Sequence, residues 1–76
     1  MHKGVVMMRP RLRAARKERG WSAEQTAAMV GLKKRMYLYI ESGERNPTLE
    51  IANRLEDIFN LPQRELLEQT QDLEGV

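Results

Sequence analysis

Three consecutive cations, Lys33, Lys34 and Arg35, followed four residues later by Tyr39, are the side chains in this sequence whose types and spacing best suit chemistry. That chemistry is recognition. Lysine and arginine reach O6 and N7 of guanine, arginine through two parallel bonds, and each good contact gives about 1–3 kcal/mol of discrimination. A tyrosine ring can meet a thymine methyl while its hydroxyl reaches a phosphate. Lys33 puts a positive charge at the start of the segment 33–42, at the positive end of a helix dipole, which a bound phosphate would relieve. Arg45 and Asn46 beyond the helix, and Arg11 and Arg13 upstream, are further phosphate donors.

Catalytic chemistry has no such set of residues. The chain contains no cysteine and one histidine, His2, beside the N-terminus. It has no nucleophile–base pair and no glycine-rich phosphate loop, and 76 residues are few to enclose a substrate pocket. We expect no enzyme activity, no metal, no cofactor and no small-molecule substrate. No apolar run approaches the roughly 20 residues that cross a bilayer, so a cytoplasmic, nucleoid-associated protein with no membrane partner is expected.

These side chains need a rigid element to hold them. Ser22 can accept the first unpaired N–H of a helix while Gln25 reaches back to the Ser22 N–H, a capping box that opens a helix over 23–30. Gly31 closes it, and Leu32 is an apolar plug at the turn. A second helix over 33–42 ends at Gly43. Two short helices joined by a glycine-centred turn form helix-turn-helix grammar, and a helix about 10–12 Å wide fits a major groove about 12 Å wide. In the second helix Met36-Tyr37-Leu38-Tyr39-Ile40 cannot all face one way. Tyr37 and Ile40 take the core positions with Met36 near the turn, which leaves Leu38 and Tyr39 pointing outward.

The remaining elements form the support. Pro10 opens a helix over 10–19, with Leu12, Ala15 and Arg16 on its inner face. Trp21 precedes the Ser22 cap and is expected in the core. Thr48 caps a helix carrying Ile51, Ala52, Leu55, Ile58 and Phe59 at three- and four-residue intervals, the strongest amphipathic signal in the chain, and Asn60 closes it in a left-handed conformation. Pro62 starts a short fifth helix running to about residue 69. The fold expected is all-α, a compact five-helix bundle. Its domains are a flexible or extended arm over 1–9, a DNA-binding body over 10–69, and an acidic tail over 70–76 that frays.

Net charge is +2 but unevenly placed. Residues 1–45 hold eleven Lys/Arg against four acids, and residues 46–76 hold two against seven. A polyanion attracts the first half and repels the second, which orients the molecule upon it.

The run from Leu12 to Leu67 resembles the Cro and lambda-repressor type of helix-turn-helix domain, also called the xenobiotic-response-element (XRE) family. The resemblance is carried by Leu12-Arg13, Arg16, Gly20, Ser22, Ala27, Gly31-Leu32, Ile40-Glu41, Gly43, Arg45, Pro47-Thr48-Leu49-Glu50 and the run NLPQRELL over 60–67. It implies a lambda-repressor-like bundle, a transcriptional repressor in a bacterium or phage, and binding to a palindromic operator as a dimer. It also implies an internal ion pair between Arg16 and Glu41, and base reading from Lys34, Arg35, Tyr39 and Leu38. Ala15 and Thr26 stand where the family has larger apolar groups, so Trp21, Met29 and Tyr37 are expected to fill the core. Leu61, Leu66 and Leu67, with Phe59, offer apolar surface for a weak homodimer through the C-terminal helical region. The alternative is an interaction module of the same fold that binds a regulator or polymerase subunit through Leu38 and Tyr39.

Overall fold

The computed structural model describes residues 5–73. In chain order these form β1 (Val5–Met8), α1 (Pro10–Glu18), α2 (Ala23–Met29), α3 (Lys34–Ser42), α4 (Leu49–Phe59), α5 (Gln63–Leu66) and β2 (Thr70–Leu73). The helix starts follow local chemistry. Ser22 Oγ accepts from Gln25 N at 3.0 Å and Gln25 Oε1 accepts from Ser22 N at 2.8 Å, completing the capping box of α2. Thr48 Oγ1 accepts from Ile51 N at the start of α4. Asn60 closes α4 at φ 57° and Gly43 closes α3 at φ 88°.

Leu12, Tyr37, Leu55 and Phe59 are fully buried where α1, α3 and α4 meet, and Ala27, Val30, Ile40 and Leu66 complete the core around them. Trp21 packs against this core from the α1–α2 turn, its ring centroid 5.3 Å from that of Phe59. The Arg19 guanidinium lies over both rings and donates to Phe59 O at 2.6 Å, so one cation covers the aromatic pair and caps the end of α4. Met29 differs from expectation: it is 42% exposed, and buried Thr26 occupies the inner face of α2 instead. Its hydroxyl donates to Ser22 O at 3.0 Å, which removes the cost of burying it. Phe59 and Leu66 are also consumed by the core, leaving Leu61 and Leu67 as the half-buried leucines at that end.

The two ends of the described stretch pair. β1 and β2 run antiparallel with Val5 opposite Leu73 and Met8 opposite Thr70, so part of the expected arm and part of the tail expected to fray form a two-stranded ribbon beside the bundle. Residues 1–4 and 74–76, the rest of those two segments, lie outside the described residues. Helix α5 is correspondingly shorter than its expected end near residue 69, because the chain turns from Leu66 toward β2.

Gly31 sets the angle between α2 and α3. Its φ is +78°, and a Cβ there would stand 2.8 Å from Arg54 Nη1, the group that caps Val30 O at 3.3 Å. Gly31→Ala therefore combines a left-handed strain of about 1–2 kcal/mol with displacement of that cap. We expect its melting temperature to fall by roughly 4–15 °C in a thermal scan, at the scale usual for domains this small.

Candidate nucleic-acid interface

Helix α3 separates its side chains by about 100° per residue. Tyr37, Ile40 and Glu41 point inward and are buried, while Lys34, Arg35 and Leu38 are exposed and Tyr39 is half-buried. The outward residues thus share one side of the helix. Lys33 occupies the N-cap at φ −80° and ψ 153° without a side-chain cap bond, and no acid stands in the first turn. The helix start therefore presents uncapped N–H groups beside two lysines and an arginine.

Three of these residues form one cluster. Arg35 Nε donates to Tyr39 Oη at 3.2 Å, and the Arg45 guanidinium lies 5.5 Å from the Tyr39 ring centroid. Arg45 N also donates to Tyr39 O at 3.1 Å, which ties the loop after α3 to the helix. Tyr39 is thereby held between two cations with its hydroxyl hydrogen still available to an acceptor. Leu38 borders an open cleft of about 440 Å³ between α1 and α3, which Met8, Pro10, Arg13 and Ser42 also line.

Arg11 and Arg13 do not lie together on this side. Two positions apart on a helix, they point about 200° from each other. Arg13 lines the cleft beside Leu38 and Tyr39, whereas Arg11 turns toward α5 and pairs with Glu68 at 3.3 Å. Of the two expected phosphate contacts, Arg13 thus lies beside α3 and Arg11 lies beside α5. Asn46, by contrast, is exposed in the loop next to Arg45, and its Oδ1 accepts a 2.7 Å bond from Arg9.

Behind the cluster the bundle is fastened by ions. Arg16 Nε and Nη2 donate to the two oxygens of Glu41 at 2.8 and 3.1 Å, and Arg16 Nη1 donates to Trp21 O at 3.0 Å. The Tyr37 hydroxyl donates to Glu41 Oε2 at 2.7 Å. Burial, reinforced by the carboxylate beside it, pushes the Tyr37 phenol well above its usual pKa, so it stays protonated as a donor. The bond to Glu41 raises Arg16 in turn. Every oxygen and nitrogen of this buried group has a partner, and the group locks α1 to the inner face of α3.

The sequence profile of the helix-turn-helix family matches residues 12–66. The chain belongs to the XRE-type helix-turn-helix family. Members of this family are DNA-binding regulator domains, not a class of enzyme. This helix-turn-helix chain is 42% identical over 57 residues to the HTH-type transcriptional regulator AnsR of Bacillus subtilis, covering 75% of this chain and 49% of that protein. It is 34% identical over 53 residues to an uncharacterised HTH-type transcriptional regulator of Archaeoglobus fulgidus, across 70% of this chain and 76% of the relative. A putative HTH-type transcriptional regulatory protein of Pyrococcus horikoshii is 36% identical over 52 residues, 68% of this chain and 16% of its own length. The chain thus spans about half the length of AnsR and a small part of the Pyrococcus protein. No helix among the described residues is long and apolar enough to cross a membrane.

Sequence reasoning about this helix-turn-helix domain missed Arg9. It is 4% exposed and reaches α3, the following loop and the end of α5. A single arginine before Pro10 carries no local signal, because its partners are 31 to 58 residues away in sequence.

Proposed function

We propose that the chain binds double-stranded DNA in a sequence-specific way and regulates transcription, as a nucleoid-associated repressor of bacterial or phage origin at a palindromic operator. In this reading α3 enters the major groove and α2 crosses the backbone. Lys34, Arg35 and Tyr39, with Leu38 against a thymine methyl, read bases, while Lys33, Arg13, Arg45 and Asn46 hold phosphates. The observation that carries it is the outward cluster of Arg35 and Tyr39 on α3 with Arg45 from the following loop, on a helix whose opposite face is fixed in the core. The same cluster weighs against docking of a protein partner through Leu38 and Tyr39. Arg45 covers the tyrosine ring, and Leu38, at 38% exposure, is a small apolar target by itself.

A homodimer through the C-terminal region fits this reading as a weak one, formed on DNA, because among the described residues Leu61 and Leu67 are the half-buried leucines left there. Titration of a random duplex pool at two salt concentrations tests the function. With Lys33, Arg13 and Arg45 each displacing a counterion, log affinity should fall against log salt with a slope of about −3 per half-site, and about −5 for a pair. Binding that is weak at low salt and indifferent to sequence contradicts the proposal.

A further inference from the structure

Arg9 follows β1 directly, and its side chain runs into the bundle, not into solvent. The guanidinium donates from Nη1 to Ile40 O at 2.6 Å and to Arg45 O at 3.0 Å, from Nη2 to Asn46 Oδ1 at 2.7 Å, and from Nε to Leu67 O at 3.2 Å. Its backbone N–H donates to Glu41 O at 3.2 Å. Among the described residues no carboxylate pairs with it. A full positive charge has therefore been taken out of water against carbonyls and one amide. A buried charge of this kind is costly, and here it is offset only by hydrogen bonds to neutral acceptors.

What the guanidinium supplies instead is geometry. It is a planar fork of donors with no acceptor. Only the oxygen of the Asn46 amide can face it, so the Nδ2 hydrogens point away from the guanidinium. The same fork joins the last turn of α3, through Ile40 O, to the backbone of Arg45. The loop after the recognition helix is thus held at a fixed distance from it.

We propose that Arg9 is a positioning residue for DNA recognition: it orients the Asn46 amide so that its two N–H groups are presented to a phosphate, and fixes Arg45 over Tyr39. This rests on the DNA-binding reading above. Arg9 touches no DNA itself.

The test uses the duplex that the wild-type chain selects from a random pool, at a temperature where circular dichroism shows each variant folded. Arg9→Met should bind it about tenfold more weakly. Asn46→Ala should weaken binding about tenfold in the wild-type background and less than twofold in the Arg9→Met background, since the amide is already unoriented there. Asn46→Asp covers the case in which Arg9→Met does not fold. Its carboxylate still faces the guanidinium, so the melting temperature should match or exceed that of wild type, while affinity falls at least tenfold because both donors are gone. Equal binding by wild type and folded Arg9→Met overturns the inference alone, as does a lowered melting temperature in Asn46→Asp. A wild-type chain that selects no duplex overturns the DNA reading and this inference with it.

Discussion

Glu41→Ala should unfold much of the protein at temperatures where the wild type is intact, although Glu41 is buried and is not one of the proposed DNA contacts. The carboxylate accepts both donors of the Arg16 fork and the Tyr37 hydroxyl in a buried site. Its removal leaves a desolvated guanidinium and an unpaired phenol, at a cost of about 3–5 kcal/mol. A domain of this size has only about 4–11 kcal/mol of stability in all, so the melting temperature should drop by more than about 12 °C. Changing both partners to apolar residues, Arg16→Met with Glu41→Leu, should recover part of the loss, because the stranded guanidinium is gone while the Tyr37 hydroxyl stays unpaired. Thermal scans of the three proteins decide the matter. Equal melting temperatures for Glu41→Ala and wild type would reject the role assigned to this ion pair.

Arg35→Ala should do the opposite, sparing stability and removing recognition. Arg35 is exposed and its one described bond is to Tyr39, so the melting temperature should stay within about 1–4 °C of wild type. Removing a bidentate bond to guanine costs about 1–3 kcal/mol, or roughly 5- to 150-fold in affinity for the selected duplex. Specificity should relax at the base pair that Arg35 reads. Arg13→Ala is the instructive comparison: without a guanidinium on the phosphate there, binding should weaken for all duplexes alike and the salt slope should fall by about 1. Reduced affinity in Arg35→Ala that is uniform across sequences would move Arg35 from the base-reading to the phosphate-holding group.

Features whose cause lies within a few residues were legible in the sequence. The capping box at Ser22 and Gln25, the left-handed stops at Gly31, Gly43 and Asn60, and the periodic run through α4 each act over one or two turns, and the helices start and stop within a few residues of these marks. Helix α3 was readable for the same reason, since five apolar residues in a row force some of them outward. Arg16 and Glu41 came from the family resemblance and not from spacing.

Features that depend on distant partners were not legible. The ribbon joins residues 5–8 to 70–73: an extended arm was one of the two readings of the first stretch, but nothing local marked the second as its partner. Arg9 depends on carbonyls from three other segments. Arg11 and Arg13 were grouped by charge, and the helical angle between them sends one toward Glu68 and the other toward Leu38. Met29 was expected inside because it is apolar and bulky, yet Thr26, with its hydroxyl satisfied within the helix, fills the inner face more closely.

The most direct test of the DNA-facing side is a backbone amide spectrum of the isotope-labelled chain, recorded while the selected duplex is added. The largest shifts should fall on residues 33–35, 38, 39, 45 and 46, with a smaller set at Arg13, and Arg11 and the outer face of α4 should stay still. Shifts concentrated on α5 and Glu68, with the outer side of α3 unmoved, would contradict the assignment of α3 as the recognition helix.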